Sequence, residues 1–205
     1  MKKSPTIYID DHPEQLDIDQ ALASVSEQRR KHALSYRQEH DQQLSLAVYQ
    51  LLQRALSQEY GIDEKPSFTF NEHGKPLLEQ HPEIFFNMSH CREAAACVVH
   101  SVPVGIDVES LTSYDAALID QVMNDDEQQL IAHSTHPQLA FIRLWTMKES
   151  LLKMLGKGLS TNLRNVLIDH HDQLLQHCHF HTTVYPHFVC TTCWCLTSPP
   201  LLLKA

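Results

Sequence analysis

Leu44, Ala47, Val48, Leu51, Leu52 and Ala55 recur at the three- and four-residue spacing that lines one face of an α-helix. This stripe predicts an amphipathic helix that ends near Gly61, and beyond it the pattern changes to short apolar and aromatic runs. Phe68-Thr69-Phe70 and Ile84-Phe85-Phe86 read as strands around a Gly74-Lys75-Pro76 turn, and Ala94 to Val99 and Val104 to Val108 as a pair joined through Ser101-Val102-Pro103. An opening strand, Thr6 to Ile9, precedes the helix. Residues 141 to 155 form a second helix rich in Leu, Met and Trp, and the tail from 164 to 198 alternates as strands do. Without a regular strand-helix-strand alternation, this order predicts an α+β fold of two lobes meeting near residue 103.

A chain of 205 residues, 42% hydrophobic, can bury one substantial core or two small ones. Its net charge of -9 argues against a general nucleic-acid binder, which needs clustered Lys and Arg. The start has no apolar core of a signal peptide, and no stretch approaches the roughly 20 apolar residues of a membrane span. The expected compartment is therefore the cytoplasm, with the six cysteines as reduced thiols.

Three segments carry residues suited to chemistry. In Gly105-Ile106-Asp107-Val108-Glu109, strand alternation turns Ile106 and Val108 into a core and places Asp107 and Glu109 together on the other face. Two carboxylates on one face suit a hard cation such as Mg²⁺, or belong to a solvated sheet face. In Trp145-Thr146-Met147-Lys148-Glu149-Ser150-Leu151-Leu152-Lys153, Glu149 and Lys153 share a helix face. They are a surface ion pair, or else a third metal carboxylate or general base beside a phosphate contact. In Phe86-Asn87-Met88-Ser89-His90 a strand ends in a hydroxyl and an imidazole that point apart yet are able to meet one anion; a plain structural turn is the alternative. The cluster Glu27-Gln28-Arg29-Arg30-Lys31 reads as a solvated helical face or as a local basic site.

Together these segments resemble the 4'-phosphopantetheinyl transferases of the surfactin-synthetase-activating type. That family carries Gly-Lys-Pro, Phe-Asn-x-Ser-His-Ser, Gly-(Ile/Val)-Asp-(Ile/Val)-Glu and a Trp-x-x-Lys-Glu-Ala-x-x-Lys helix ending in Gly-x-Gly-Leu. Here they read Gly74-Lys75-Pro76, Phe86 to Cys91, Gly105 to Glu109, and Trp145 to Lys153 with Gly156-Lys157-Gly158-Leu159. Four of the five glycines fall inside these motifs, which marks them as more than chance matches in a glycine-poor chain. Cys91 and Ser150 stand where the family usually has Ser and Ala. Gln42-Gln43 stand where it often has Arg, with Arg37 or the Arg29 to Lys31 cluster as substitutes.

The resemblance implies two similar-sized lobes related by a pseudo-twofold axis, 1–103 and 104–205, with the active site between them in a monomer. It implies transfer of phosphopantetheine from coenzyme A to a serine of an apo acyl or peptidyl carrier protein, releasing 3',5'-ADP. Lys75, Ser89, His90, Arg30, Lys31 and Lys153 would cradle the coenzyme's phosphates. Asp107, Glu109 and Glu149 would hold Mg²⁺, with Mn²⁺ as a substitute, and Glu149 or Glu127 would accept the serine proton. Lys148, Lys153, Lys157 and Arg164 make a local basic patch that would steer an acidic carrier.

Three rival readings follow from other features. The tail holds His170, His171, His177, Cys178, His179, His181, His187, Cys190, Cys193 and Cys195, and Cys190-Thr191-Thr192-Cys193 has the gap of a zinc knuckle without a second pair. A carrier-binding protein without transfer activity and a magnesium hydrolase are the others.

Overall fold

The computed structural model describes residues 4–112, 114, 116–156, 163–169 and 177–195. The elements are β1 (Thr6–Asp10), α1 (Ile18–Ser24), α2 (Glu27–Leu34), α3 (Glu39–Tyr60), β2 (Phe68–Phe70), β3 (Pro76–Leu78), β4 (Phe85–His90), β5 (Ala95–His100), β6 (Val104–Ser110), α4 (Ala116–Val122), α5 (Asp125–Ala132), α6 (Pro137–Leu155), α7 (Val166–Asp169), β7 (Cys178–Val184) and β8 (Phe188–Cys195). The fold is α+β, and every described strand pairing is antiparallel. No helix among the described residues is long and apolar enough to cross a membrane.

Helix α3 begins with Glu39 and Asp41 in its first turn, where carboxylates favour the helix dipole, and stops at Gly61 in the left-handed conformation, φ 68°. All six residues of its sequence stripe are buried. Ala47, Val48, Leu51, Leu52 and Ala55 pack on the sheet β1-β5-β4, which presents Tyr8, Phe86, Cys97 and Val99 to that core. The second sheet, β6-β8-β7, carries helix α6, which starts at Pro137 and stops at Gly156, φ 67°.

Several strand expectations change in the structure. Phe68–Phe70 pairs with Pro76–Leu78, so the Gly74-Lys75-Pro76 turn closes a small hairpin, while the segment around Phe85 begins β4. Pro76, lacking a donor, is tolerated as the first residue of its strand. Strands β5 and β6 are consecutive but do not pair: β5 lies between β1 and β4, and β6 lies beside β8 at an edge of the other sheet. Among the described residues of the tail, the strands are β7 and β8, whereas residues 163–169, also expected as strand, form a 3-10 turn and α7.

The inner faces of the two sheets share one core, with Ala96 and Val98 of β5 against Ile106 and Val108 of β6 and Cys190 and Trp194 of β8. The alternate residues of β6, Gly105, Asp107 and Glu109, face α6. Strand alternation thus divides β6 between apolar core and helix, as its sequence requires. Gly105 sets the distance of that crossing: a Cβ there would lie 2.0 Å from the Ser150 carbonyl oxygen and 2.5 Å from the Met154 nitrogen. Backbone does not yield as a side chain does. Gly105→Ala is expected to cost about 3 kcal/mol in chemical denaturation and to displace α6 from the strand, with loss of activity beyond the fraction unfolded; wild-type stability would show that helix and strand are separable.

Candidate active site

The site is built at the junction of the two sheets, where edge strand β4 meets edge strand β6. No backbone ladder joins them. Instead the Ile106 N–H donates to Asn87 Oδ1 at 2.9 Å and the Val108 N–H to Ser89 Oγ at 3.2 Å. Residues two apart on one strand satisfy donors two apart on the other, which fixes the register of the sheets and closes two edge positions that burial would leave orphaned. Asp107 lies between those donors, its carboxylate turned away from the inter-sheet core that takes the Ile106 and Val108 side chains, and it is 1% exposed.

Ser89 Oγ also donates to Asp107 Oδ1 at 3.2 Å and accepts from Lys153 Nζ at 3.0 Å, so its one donor and two acceptor positions are all used. Lys153 donates to Asp107 Oδ1 at 2.5 Å. One turn earlier on α6, Glu149 is buried with its Oε1 unpartnered, and Asp107 Oδ2 is buried and unpartnered too. Glu109 accepts from the Trp145 indole N–H at 3.0 Å. Burial, then the Asp107 charge, raises Glu149 from 4.5 to about 7; Glu109 reinforces the shift and Lys153 opposes it. Burial and Asp107 raise Glu109 as well, against the Trp145 hydrogen bond.

This is a buried excess of carboxylate for which one lysine is insufficient compensation. Among the described residues no three His, Cys, Asp or Glu side chains stand gathered as ligands of one ion. The donor set nevertheless fits a hard cation: all oxygen, with buried free atoms on Asp107 and Glu149, and with Glu109 and Glu149 raised by burial and then by the neighbouring Asp107 charge.

Two adjoining cavities flank the cluster and share Pro76 and Met88. One, about 240 Å³, is lined by Lys75, Asn87, Leu152, Glu149 and Lys153. The other, about 300 Å³, is lined by Gln28, Arg29, His32, Phe68 and His90. Partial desolvation in this cavity, helped by Lys153, holds the His90 imidazole below its ordinary pKa. Ser89 and His90 point apart, Ser89 into the seam and His90 outward, as neighbours on a strand must.

Other expected site residues are placed elsewhere. Lys75 lines the smaller cavity, but its ammonium donates to the Lys153 and Met154 carbonyl oxygens at 2.7 and 3.0 Å, capping the C-terminal turn of α6; burial lowers its pKa to about 8. Arg30 donates to the Leu22 carbonyl, and Lys31 pairs with Glu27 at the surface. The member of that cluster which lines a cavity is Arg29, held by Ser45 and lying over Tyr49 and Phe68, its Nε buried without a partner. Residue type named the cluster; only helix phase selects Arg29 from it.

Glu127 is not part of the carboxylate cluster. It completes the Asn124 capping box of α5, and its Oε2 accepts from Lys148 Nζ at 2.6 Å. Lys148 is fully buried, donating also toward the carbonyls of Val122, Leu163 and Arg164. The expected surface patch is therefore reduced: Lys148 is interior, Lys153 is paired, Arg164 bonds to Asp125, and Lys157 lies outside the described residues. Gln43 donates to the Glu14 and Leu16 carbonyls and Gln42 to that of Tyr36, and Arg37 lines a separate hollow with Asp17, Asp19 and Glu39.

The zinc-knuckle reading fails on strand geometry. Cys190 and Cys193 sit three apart on β8 and point to opposite faces, Cys190 into the inter-sheet core and Cys193 beneath α6. His170 and His171 lie outside the described residues.

Residues 103–197 match the family model of the 4'-phosphopantetheinyl transferase superfamily. Over 161 residues the chain is 31% identical to a 4'-phosphopantetheinyl transferase of Bacillus subtilis, covering 77% of this chain and 71% of that one. It is 32% identical over 158 residues to 4'-phosphopantetheinyl transferase psf-1 of Bacillus pumilus, covering 76% and 68%. With 4'-phosphopantetheinyl transferase AcpT of Salmonella typhimurium it shares 33% identity over 116 residues, 54% of this chain and 57% of that one. The chain belongs to the 4'-phosphopantetheinyl transferase superfamily, a family of transferases.

Two predictions follow from the charges. Between pH 4.5 and about 7 the folded chain keeps a proton on Glu149 that the unfolded chain has released, so this group's contribution to stability falls as pH rises through that window and levels above it. In chelator, Glu149→Gln should therefore gain on wild type across that window, reaching on the order of 3 kcal/mol above it; a pH-independent difference refutes the raised pKa. Lys148→Met strands the buried Glu127 and should cost about 3–5 kcal/mol in denaturant unfolding. Adding Glu127→Gln, which keeps the capping box, should recover much of that; no recovery would mean that Lys148 acts through its carbonyl contacts alone.

Proposed function

We propose that this chain transfers the 4'-phosphopantetheine group of coenzyme A to a serine of an apo acyl or peptidyl carrier protein, with Mg²⁺ or Mn²⁺. The observation that carries the reading is the cluster of Asp107, Glu109 and Glu149 facing the Lys153 ammonium beside two adjoining cavities, in a chain of this family. The two sheet-and-helix units are read as two lobes, 1–103 and 104–205, related by pseudo-twofold symmetry. The enzyme is read as a cytoplasmic monomer.

Asp107, Glu109 and Glu149 would hold the cation, which when bound offsets charge growing on the leaving phosphate. Arg29 and His90 in the larger cavity offer cationic or hydrogen-bonding groups for the nucleotide end of coenzyme A, and Lys153 supplies charge to the pyrophosphate. The carrier serine oxygen bonds to the phosphorus that bears pantetheine, while the bond from that phosphorus to the bridging oxygen breaks. The electron pair leaves with 3',5'-ADP, and no covalent enzyme intermediate is needed. Glu149 takes the serine proton in preference to Glu127, whose oxygen is already bonded to Lys148 and to the Asn124 N–H.

Incubation with coenzyme A, Mg²⁺ and a panel of apo carrier proteins should add one phosphopantetheinyl mass to at least one carrier. Excess chelator should abolish the addition and Mg²⁺ or Mn²⁺ restore it. Lys153→Met keeps the aliphatic stem but removes the cation, so kcat/KM for coenzyme A should fall about 100-fold or more. Full activity in chelator would overturn the metal role, and coenzyme A cleavage without carrier modification would favour a hydrolase.

A further inference from the structure

Asn87 is only 6% exposed and has two different ends. Its Oδ1 accepts the Ile106 N–H at 2.9 Å, and that donor fixes which way the carboxamide is turned. The Nδ2 group must then face away from β6. Among the described residues no acceptor meets it, whereas Ser89, two residues along the same strand, has every hydrogen-bonding position used within the protein. The free Nδ2 is not among the sealed unpartnered atoms of the described residues, so it is open to the adjoining cavity, where the acceptor of a ligand can reach it.

Asn87 lines the smaller cavity together with Met88, Pro76, Leu152, Glu149 and Lys153. Apart from Glu149, Lys153 and His73, its surroundings are largely apolar: a thioether, a proline ring, a leucine and the methylene stem of Lys75, whose ammonium is turned toward the α6 carbonyls. A ligand suited to this wall carries negative charge for Lys153, apolar bulk for the thioether, proline and leucine, and a hydrogen-bond acceptor for Asn87. On the reading proposed above, coenzyme A carries all three along its arm. Beyond the phosphate comes a dimethyl-substituted carbon, then a hydroxyl-bearing carbon, then an amide carbonyl.

We infer that Asn87 Nδ2 donates to the first amide carbonyl of the pantetheine arm, making Asn87 a specificity-determining residue for the transferred group. Its two ends have separate tasks: the oxygen holds β6 in register with β4, and the nitrogen reads the arm. Arms of similar length without that carbonyl would leave the donor buried and unmatched, and would be discriminated against on that ground.

The test compares coenzyme A with an analogue whose first amide carbonyl is replaced by methylene, using calorimetric Kd and kcat/KM with a carrier found to be modified. Wild type should bind the analogue about 10-fold more weakly. Asn87→Asp retains an acceptor for the Ile106 N–H but removes the donor, so its ratio between the two compounds should fall to within about 2-fold even though both bind more weakly. A ratio preserved in Asn87→Asp, or no discrimination by wild type, overturns the inference. If Asn87→Asp does not fold, Asn87→Ser and the wild-type ratio decide on the same criteria. Binding with normal discrimination but no transfer to any carrier would refute the proposed activity while supporting the role of Asn87, and failure to bind coenzyme A would overturn both.

Discussion

The hydrogen bonds from Ile106 and Val108 to the side chains of Asn87 and Ser89 are the constraint on which the rest of this molecule turns. Two sheet edges that meet without a backbone ladder would each leave buried donors unmatched, and side-chain oxygens at alternate positions resolve this at a defined register. That register sets Asp107 beside Ser89, and Ser89 in turn receives Lys153 from α6. A slip of one residue would turn Asp107 into the inter-sheet core and Ile106 toward the helix.

Helix α6 reaches this seam because Gly105 lets it come within backbone contact of β6. Having arrived, it serves two distinct electrostatic tasks from different faces. Lys148 is turned into the packing against α5, where Glu127 and three carbonyls surround it and no charge remains for a ligand. Glu149 and Lys153, one turn apart, face β6, where the carboxylates outnumber the ammonium and two oxygens stay unpaired. The first arrangement is complete without a ligand. The second is electrostatically incomplete, as a cation and phosphate site must be before its ligands bind.

Much of this was legible in the chain itself. Period-two alternation separated Ile106 and Val108 from Asp107 and Glu109, and the four-residue spacing put Glu149 and Lys153 on one face. What failed did so where residue identity does not encode direction. Arg29, Arg30 and Lys31 are equally basic, yet successive helical residues point about 100° apart, and only Arg29 lines the cavity beside His90. Glu127 and Glu149 are the same side chain, but Lys148 occupies one and leaves the other open. Cys190 and Cys193 have the spacing of a chelating pair, which a strand converts into opposite faces.

The sequence by itself determined the elements and the chemical inventory: where the long helices end, which faces are apolar, and which acids and lysines fall on one side of an element, because these follow from local periodicity. Only the tertiary structure decided which charges meet, since that depends on pairings between residues far apart in the chain. Asp107 and Lys153 are 46 residues apart, and Asn87 and Ile106 are 19 apart. Their encounter is fixed by two sheets meeting edge to edge and by a helix crossing at a glycine, neither of which any local pattern records.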